Sequence, residues 1–478
     1  MKKILIVLIP AICLGQVFWE NEVIDSVNLD MENYRFNAMA LDTIGIPCVV
    51  YDNPNWLDTI MYAWQTDSGW QKENIESGFK YYGFSLVVDD NNIVHFSYYR
   101  RDDSLDITYH CCGQRDSTGW QIEYVDSTAG YLGNYSRSIN SSIALDTTDL
   151  PGIAYTSWNV SDSLHYIKYA HYNGVNWDTS VVSYDSIWSG PAPPDWCPSL
   201  KFDSNSDPHM AFSRCHGTND TLKYVIYEDS SNQWVTVHTI TCYGTYPLSL
   251  ALSRMDYPCI AYNHEGGLAY TWWDGSTWNT DYGIASIGWI DTRIRLALDS
   301  LDQPHILYKH WGTVFPRYCY KDTFWHMCGP VEPDTLEAHV DAALNLILDN
   351  NDQPHISYKF YQMDTDTQFI FGLKYAKGTF VGIEEYKGGK TKKTPGLKLF
   401  PNPCSGLLNI EYSMQETGEA EISVYDVTGA RRIWIHYQSK PAGFYQEGLD
   451  TRELINGVYF VVLKKENDKV SKKFLIVK

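Results

Sequence analysis

The sequence predicts an all-β protein, a seven-bladed β-propeller followed by a small Ig-like antiparallel β-sandwich. Two short apolar runs joined by an Asp-containing turn recur seven times along the chain, at intervals of about 50 residues. A run carrying tyrosine and a run that opens with an aromatic residue follow the pair. After residue 385 the repeat stops and strand-like runs of another spacing begin. These observations indicate four antiparallel strands per repeat, stacked as blades in a ring.

The composition fits a folded protein and excludes some partners. The 478-residue chain is 15% aromatic, with 36 Tyr and 17 Trp, and only 20% charged. Such a chain is too aromatic and too weakly charged to be disordered. Its net charge of -21 argues against nucleic acid or an anionic membrane as a partner.

The N-terminal residues predict export. Two lysines, an apolar run over residues 4–12 and a small-residue exit at 13–15 are typical of a secretory signal peptide, here residues 1–15. A lipid anchor on Cys13 is the less favoured alternative. The apolar run is too short to span a bilayer, and no later segment is apolar enough, so we expect no transmembrane segment.

The repeat itself has recognisable positions. The seven copies are MALDTIGIPCVVY (39–51), LVVDDNNIVHFSY (86–98), IALDTTDLPGIAY (143–155), LKFDSNSDPHMAF (200–212), LALSRMDYPCIAY (250–262), LALDSLDQPHILY (296–308) and LILDNNDQPHISY (346–358). The third strand is predicted to carry Tyr62, Tyr109, Tyr169, Tyr224, Tyr270, Tyr320 or Tyr375. The fourth is predicted to open with Trp70, Trp120, Trp177, Trp234, Trp278, Trp325 or Phe380. We interpret these aromatics as the packing between blades of a propeller over residues 16–385.

A second motif predicts how the ring closes. WENEVIDS (19–26), WQKENIES (70–77) and WQIEYVDS (120–127) all fit Trp-x-x-Glu-x-(Ile/Val)-(Asp/Glu)-Ser. The seventh copy ends without a tryptophan, so residues 17–27 are predicted to supply its fourth strand, beside the third strand near Tyr375. Closure of this kind removes exposed sheet edges. In the alternative, the chain after Phe380 forms that strand itself.

The C-terminal region is a separate module. Residues 386–396 are rich in Gly, Lys and Pro and predict a linker. Strand-like runs follow at 407–412, 420–426, 431–437, 457–464 and 472–477. Runs of this length and spacing predict a small antiparallel sandwich over residues 397–478.

Four motifs in this module carry a family resemblance. LKLFPNPCSG (397–406), VYDVTGA (424–430), LDTRELINGVYF (449–460) and KKFLIVK (472–478) resemble the C-terminal sorting domain of type IX secretion substrates. The motif residues are Pro401, Asn402, Pro403, Gly406, Asp426, Gly429, Gly457 and Tyr459. Cys404 departs from the family, which often has Phe there. The resemblance implies the type IX machinery as a partner, and Sec export followed by passage to the cell surface or the medium.

Three features of the repeat have structural interpretations. The Asp-rich turns favour turn geometry, with Ca²⁺ as the less favoured alternative, so no cofactor or metal is predicted. The four histidines that follow these turns fall in different blades, which favours a structural role. WWDGSTW (272–278) partly resembles the Asp-box of sialidase-like propellers, but Asp274 and Gly275 are adjacent. No sialidase arginine cluster can be assembled, so sialidase activity is not predicted.

The loops after the second strands are the predicted binding face. Two residues beyond each strand-ending aromatic the residue type varies from copy to copy, as an asymmetric ligand would require. The candidate ligand-binding residues are Arg100, Arg101, Trp158, Arg214, His216, His264, Glu265, Lys309, His310, Trp311 and Lys359.

These candidates favour a non-enzymatic binding or adhesion module for a glycan or a surface protein. The alternatives are a secreted polysaccharide lyase or glycoside hydrolase, and a purely structural surface role. The loops offer Arg and His rather than paired acids, which favours a lyase among the enzymes. No catalytic residue is assigned.

Overall fold

The structure, a computed structural model, contains two compact units, Val17–Thr379 and a C-terminal unit within Phe380–Lys478. The residues it describes are 17–29, 36–53, 59–116, 118–129, 141–159, 164–186, 198–214, 221–228, 230–241, 248–287, 294–309, 316–331, 338–339, 344–364, 368–380, 397–400, 404, 406–414, 417–426, 430–441, 443–465 and 468–477. All regular structure in these ranges is β-strand. They contain no helix with the length and apolarity of a membrane span. The predicted signal peptide and linker lie outside the described residues.

The larger unit is a seven-bladed β-propeller, as predicted. The first three blades are four-stranded antiparallel sheets in chain order. Blade 1 contains β2 (Asn37–Leu41), β3 (Pro47–Asn53), β4 (Thr59–Thr66) and β5 (Gly69–Ser77). Blade 2 contains β6 (Lys80–Val88), β7 (Val94–Asp102), β8 (Ile107–Asp116) and β9 (Gly119–Ala129). Blade 3 contains β10 (Ser141–Leu145), β11 (Pro151–Asn159), β12 (Leu164–Tyr172) and β13 (Trp177–Ser186).

The next three blades repeat the same topology. Blade 4 contains β14 (Ser199–Phe202), β15 (Pro208–Arg214), β16 (Thr221–Glu228) and β17 (Gln233–Thr241). Blade 5 contains β18 (Leu248–Leu252), β19 (Pro258–His264), β20 (Gly267–Trp273) and β21 (Trp278–Asp281). Blade 6 contains β22 (Ile294–Leu298), β23 (Pro304–Lys309), β24 (Pro316–Lys321) and β25 (Trp325–Pro330).

Blade 7 contains strands from both ends of the propeller sequence. Its strands are β26 (Ala338–His339), β27 (Leu344–Leu348), β28 (Pro354–Asp364), β29 (Gln368–Phe380) and the N-terminal β1 (Val17–Leu29). β1 pairs with β29, and β26 and β27 both pair with β28. The N-terminal strand therefore takes the outermost position of the last blade and joins it to blade 1. Gly372 and Gly378 on β29 allow this approach, because a Cβ on Gly378 would lie 2.6 Å from Val17 and a Cβ on Gly372 would lie 2.5 Å from the Asp25 carbonyl.

Turn chemistry explains the recurring aspartate. In blade 1 the Asp42 carboxylate accepts the backbone N–H groups of Ile44 and Ile46 at 3.0 and 2.7 Å. The fourth residue of each turn adopts a positive φ, as glycine does at Gly45 and a polar residue does elsewhere: Asn92, Asp149, Ser206, Asp256, Asp302 and Asp352. Small polar side chains tolerate this left-handed conformation and bond local amides. The first carboxylate of the turn thus serves as a local backbone acceptor, whereas an aspartate at the fourth position accepts from the turn of the preceding blade, as Asp256 does from the Ser204 N–H at 3.1 Å.

The seams between blades are lined by edge-on pairs of tyrosine and tryptophan. A third-strand tyrosine packs against the tryptophan that opens the fourth strand of the next blade, with interplanar angles of 66° to 86°. The pairs are Tyr62–Trp120, Tyr169–Trp234, Tyr224–Trp278, Tyr270–Trp325, Tyr318–Trp19 and Tyr375–Trp70. Edge-to-face geometry is favoured for aromatic pairs. β1 contributes Trp19 to the seam with blade 6, and Tyr375 of the neighbouring β29 contributes to the seam with blade 1.

All seven predicted tyrosines lie on third strands, but in two blades another residue occupies the position that faces the next blade. Strand register places Cys112, rather than Tyr109, at the equivalent position of blade 2, because Cys112 pairs with Ser97. In blade 6 it places Tyr318 there, opposite Leu307, rather than Tyr320.

The C-terminal unit is a two-sheet antiparallel assembly, as predicted. One sheet has the order β30 (Lys398–Phe400), β31 (Leu407–Met414) and β34 (Gly443–Asp450). The other has the order β33 (Arg431–Lys440), β32 (Gly418–Asp426), β35 (Gly457–Lys465) and β36 (Asp468–Ile476). One apolar core includes residues of both sheets, among them Leu408, Ile410, Ile422, Val461 and Phe474. β30 and β34 were not among the predicted strands.

The sorting-motif residues in the described ranges are structural. The Gly406 carbonyl accepts the Thr451 N–H at 2.7 Å, and Asp426 accepts the Ala430 N–H at 3.0 Å. Gly457 opens β35, and the buried Tyr459 donates its hydroxyl to the Ile455 carbonyl. Cys404, the departure from the family, is buried and pairs in parallel with Ile476. Pro401, Asn402, Pro403 and Gly429 lie outside the described residues.

Candidate functional site

The first strands of the seven blades line a central channel of about 520 Å³. In each first strand, the residue that precedes the first apolar residue of the quoted repeat lines the channel. These seven residues form one ring around the channel: Ala38, Ser85, Ser142, Ser199, Ser249, Arg295 and Asn345. Strand pairing confirms that these seven positions are equivalent. We call this set the serine ring. It gives the channel a hydroxyl-rich wall with one cation.

The serines of this ring connect neighbouring blades. Ser85, Ser142, Ser199 and Ser249 each accept a backbone N–H from the first strand of the next blade, at 3.0 to 3.1 Å. These hydrogen bonds therefore connect the first strands of neighbouring blades along the channel wall. A hydroxyl that accepts one hydrogen bond still carries its own hydrogen to donate.

The Trp-x-x-Glu motif also connects neighbouring blades. Glu22, Glu73 and Glu123 accept the indole N–H of Trp70, Trp120 and Trp177 of the next blade, at 3.0, 2.8 and 2.9 Å. We call this place on the outer strand the acceptor position. Blade by blade from blade 1, it holds Glu73, Glu123, Ser180, His238, Asp281, Cys328 and, from β1, Glu22.

The acceptor position works in three ways. Ser180 and Asp281 also accept an indole N–H, from Trp234 and Trp325. His238 instead stacks on Trp278 at 4.1 Å between ring centroids. Cys328 leaves the indole of Trp19 without a hydrogen-bond partner in the described part of the chain. Arg115 and the indole of Trp120 both bind Glu73, and these hydrogen bonds lower the pKa of its carboxyl.

The second acid of the motif accepts a tyrosine hydroxyl from the next blade. Asp25 accepts the Tyr51 hydroxyl at 2.9 Å, and Asp126 accepts that of Tyr155 at the same distance. Glu76 accepts the Tyr98 hydroxyl at 2.8 Å. Both acids of the motif are thus committed to inter-blade contacts, and the motif is a structural element of the ring.

Arg100 lies in the seam between blades 1 and 2, and the channel lining does not include it. Its guanidinium donates to Glu76 at 2.6 Å and to the Tyr124 hydroxyl, and it lies 4.1 Å from the ring centroid of Phe79. Arg101 is buried and donates to Asp103 and Asp106 in the loop that follows β7. Arg100 and Arg101, two residues predicted to contact a ligand, therefore form ion pairs with carboxylates of the protein itself.

Trp158 is buried between blades 2 and 3, where its ring is not open to stacking on a ligand. It is 8% exposed, and its indole N–H has no partner in the described residues. It lines a small cavity of about 10 Å³ with His110, Thr108 and Tyr155. His110 stacks on Tyr155 at 4.3 Å, and burial lowers the pKa of its imidazole to about 3. The imidazole is therefore neutral at physiological pH.

His264 and Glu265 lie on the face predicted to bind a ligand. They open the tight turn from β19 to β20, where Glu265 and Gly266 both have positive φ. Glu265 is exposed, whereas His264 is half-buried and lies 4.7 Å from Tyr282 between ring centroids. The His264 Nδ1 atom is buried and makes no hydrogen bond within the described ranges. His264 and Tyr282 thus form an aromatic pair on this face.

The remaining candidates divide into two groups. Lys309 is half-buried at the end of β23, and Lys359 is buried within β28. Arg214 ends β15, and its side chain is not described, while His216, His310 and Trp311 lie outside the described residues. Among the candidates with described side chains, His264 and Glu265 share one turn of blade 5, while Arg100 and Arg101 lie in blade 2 and Trp158 in blade 3. A binding role for Arg214, His216, His310 and Trp311 stays a prediction.

Two channel residues were missed from the sequence. Lys201 and Arg295 both line the channel, and each interrupts a ring of small or apolar side chains. A signal was present, because serine precedes the apolar residue in four consecutive copies and arginine replaces it in the sixth. Desolvation, and then the charge of Arg295, lowers the pKa of the Lys201 ammonium.

Comparison with known proteins identifies the C-terminal module. Residues 398–478 match the secretion system C-terminal sorting domain. The protein is therefore a type IX export substrate that reaches the cell surface or the medium. A comparison with curated proteins gives no match.

Solved structures similar to this chain include several propeller proteins. Trypanosoma rangeli sialidase has 8% identity and a TM-score of 0.40, over 94% of this chain and 89% of its own. Penicillium chrysogenum alpha-L-arabinanase has 9% identity and a TM-score of 0.43, over 76% and 98%. Polysaccharide lyase Uly1 has 9% identity and a TM-score of 0.42, over 77% and 99%. Likeness this remote carries no argument about activity.

Proposed function

We propose that the protein is an exported, non-enzymatic binding module whose propeller engages a glycan or a surface protein. The ligand binds on the entrance face, which we define as the end of the blades where the first strands begin and the second strands finish. The opposite end, with the Asp-containing turns, is the turn face. The sorting domain supports this proposal because it delivers the propeller to the place where such ligands occur.

The chemistry of the channel wall is the observation that carries the proposal. The wall offers serine hydroxyls and two cations, which suit hydrogen bonding to a ligand. Its acids, Asp42 and Asp349, lie in the turns and accept backbone N–H groups there. A glycoside hydrolase needs two carboxylates that flank the scissile bond. The described wall supplies donors instead of such a pair.

The test is a binding screen followed by a cleavage assay. Purified mature protein is applied to a glycan array, and each glycan that binds is then incubated with the protein and analysed for shortened products. We expect binding without cleavage. Arg214→Ala and Trp311→Ala should each weaken binding, with about 1–3 kcal/mol lost for a stacked aromatic. Turnover of a bound glycan would contradict the non-enzymatic proposal.

Matched controls come from the turn face. Arg254 and Phe324 are exposed in turns of blades 5 and 6, at the end of the strands remote from the proposed site. Arg254→Ala and Phe324→Ala should therefore leave binding unchanged. If these variants lose as much affinity as the two test variants, the entrance face is not the site.

One observation favours a lyase as the second candidate. A lyase needs a His or Tyr base with a cationic partner. The pair of His264 and Tyr282 lies on the entrance face, and the His264 Nδ1 atom makes no hydrogen bond in the described ranges. If a glycan is cleaved to an unsaturated product, His264→Ala should abolish that product while the variant still binds the glycan.

Export has its own test. Removing residues 397–478 should leave a folded propeller that stays in the periplasm, because the sorting domain is its address to the type IX machinery. Cell fractionation measures the outcome. A truncated chain that still reached the surface or the medium would contradict the assigned route.

A further inference from the structure

Blade 2 places a polar side chain where five other blades have an aliphatic one. Strand register makes His110 equivalent to Ile60, Ile167, Leu222, Leu268 and Leu373, all of which are buried. The imidazole of His110 is buried as well, and it lies 4.6 Å from the ring centroid of Tyr99 and 4.3 Å from that of Tyr155. A buried polar group costs free energy unless it finds a hydrogen-bond partner. The substitution of histidine for an aliphatic residue therefore calls for a partner in the seam between blades 2 and 3.

Several polar groups of this seam surround one small cavity, which we call the seam cavity and which Thr108, His110 and Trp158 line. These three residues are 2%, 3% and 8% exposed. The Thr108 hydroxyl, both ring nitrogens of His110 and the indole nitrogen of Trp158 make no hydrogen bond within the part of the chain that the structure describes. Thr108 and His110 belong to β8 and Trp158 to β11, so the groups come from two neighbouring blades. One occupant of the cavity is placed to serve both blades.

The chemistry of the wall favours a neutral occupant. The indole N–H of Trp158 only donates, so the occupant accepts a hydrogen bond and is not a cation. Asp126 also lines the cavity, and its negative charge disfavours an anion. Its carboxylate already accepts the Tyr155 hydroxyl at 2.9 Å and the Lys168 ammonium at 2.8 Å. The occupant is therefore an uncharged molecule that can accept a hydrogen bond.

The size of the cavity narrows the choice further. Its volume of about 10 Å³ is the space that a single water molecule needs. A neutral imidazole has one donor and one acceptor, and the Thr108 hydroxyl can act as either. Water matches such a wall because it donates and accepts at the same time. Buried waters typically make two to four hydrogen bonds to polar groups that would otherwise be unsatisfied.

We propose that the seam cavity binds one internal water molecule that joins blade 2 to blade 3. The water accepts the indole N–H of Trp158 and forms its other hydrogen bonds with the Thr108 hydroxyl and the His110 imidazole. Trp158 is thus fixed by the seam at the end of β11, beneath the entrance face. This water site does not depend on the glycan or protein ligand proposed for that face.

A crystal structure of the mature chain, at a resolution that shows ordered internal waters, is the direct test. We expect one water in the seam cavity, about 2.7–3.2 Å from the indole nitrogen of Trp158. A dry cavity overturns the proposal. A protein group bound to this indole nitrogen in place of water also overturns it.

Thr108→Val should have opposite effects on a filled and a dry cavity. Valine keeps the shape of the side chain but removes the hydroxyl. If water is bound, the variant takes away one of its partners, and the Tm from calorimetry should fall by about 1–3 °C. If the cavity is dry, the same change replaces an unpaired buried hydroxyl with a methyl group, and the Tm should rise. A raised or unchanged Tm therefore overturns the proposal.

Two further threonines calibrate this result. Thr271 is buried, and its hydroxyl donates to the Asn279 carbonyl at 2.7 Å, so Thr271→Val shows the loss of a hydroxyl that has a partner. We expect Thr108→Val to change the Tm in the same direction. Thr239→Val, at an exposed position of β17, should leave the Tm unchanged. A Tm change of opposite sign in Thr108→Val and Thr271→Val would contradict the water.

A double variant tests whether the two blades share one water. Trp158→Phe removes the indole N–H and should also lower the Tm. Once one substitution has disturbed the water, the other has less to lose, because groups that share a partner are not additive. The Tm of the variant with both Thr108→Val and Trp158→Phe should therefore fall by less than the sum of the two single decreases. Additive decreases would contradict a shared water.

Discussion

The seam between blades 7 and 1 and the seam between blades 6 and 7 have the same aromatic packing but different hydrogen bonding. The ring centroids are 5.4 Å apart in Tyr375–Trp70 and 5.3 Å apart in Tyr318–Trp19. Glu22 accepts the indole N–H of Trp70, whereas Trp19 faces Cys328 and lacks a partner in the described residues. Aromatic packing therefore sets the geometry of a seam, and the acceptor position adds a hydrogen bond to it.

This comparison explains the recurring acids. A hydrogen bond from a tryptophan to a carboxylate is charge-assisted and stronger than one to a neutral acceptor. The motif is found in β1, β5 and β9, where it strengthens the contacts around the point of ring closure. The N-terminal segment carries the motif because it forms the outermost strand of blade 7 and must bind blade 1.

Removing β1 should break both seams and have the largest effect. Deletion of residues 16–28 exposes the edge of β29 and removes the buried Val17 and Ile24. We expect the Tm, followed by circular dichroism, to fall by at least about 5 °C, since several kcal/mol of burial are lost. Glu20→Ala, on the exposed side of β1, is the control and should change little. An unchanged melt of the deletion variant would show that β1 does not close the ring.

The seam between blades 2 and 3 should be sensitive to acid. The pKa of His110 is lowered to about 3 by burial, while an unfolded histidine titrates near 6.5. Between these values the unfolded chain binds more protons, so stability falls as the pH falls from 6.5 towards 3. The loss attributable to this group is on the order of 4 kcal/mol.

The matching variant is His110→Phe, which keeps a ring against Tyr155. Urea unfolding at several pH values should show a flatter decline below pH 6.5 for this variant than for the wild type. His436→Phe, at an exposed position of the C-terminal unit, should leave the pH profile as it is. Parallel profiles for the wild type and His110→Phe would contradict the buried, neutral assignment.

A single methyl group at Gly378 should loosen both seams that involve β1. A Cβ there would lie 2.6 Å from Val17 and 2.8 Å from the Trp19 ring. We expect Gly378→Ala to lower the free energy of unfolding by about 1–3 kcal/mol, measured by urea titration. Gly406→Ala, where the nearest atom to a Cβ is 3.8 Å away, provides the control. Equal stability of the two variants would mean that β1 does not pack as described.

The smallest effect should come from giving Trp19 a partner. Cys328→Ser places a serine at this acceptor position. In blade 3 the serine at the same position, Ser180, accepts the Trp234 N–H. We expect a gain of about 0.5 kcal/mol in unfolding free energy. Cys319→Ser, in the same blade but fully buried, should destabilise the protein. A loss in both variants would argue that Cys328 does not hold an acceptor position.

Much of the fold could be predicted because the repeat is periodic. The Trp at the start of each fourth strand and the Asp in each turn identify the strands without any knowledge of contacts. The seam residue was assigned to the wrong place in two blades, each for its own reason. Residues two apart share a strand face, so sequence alone does not separate Tyr318 from Tyr320 in blade 6. In blade 2 the seam position holds Cys112, so a search for a recurring tyrosine misses it.

The candidate site was harder to predict than the fold. The residue type two positions beyond the strand-ending aromatic varies among the repeats, and this variation suggested ligand contacts. At Arg100 the structure shows contacts within one seam instead. The partners of Arg100, Glu76 and Tyr124, each lie 24 residues away in sequence. Lys201 and Arg295 look like ordinary polar residues of short strands. Only the closed ring places them in one channel.

A double-mutant cycle on Glu22 and Trp70 tests the ring closure most directly. The measured quantity is the coupling energy between Glu22→Ala and Trp70→Phe, from urea unfolding of the two single variants and the double variant. Glu22 belongs to the N-terminal strand and Trp70 to blade 1, and the indole N–H donates to the carboxylate at 3.0 Å. We predict a favourable coupling of about 1 kcal/mol. Strict additivity of the two substitutions would contradict closure of the ring by the N-terminal strand.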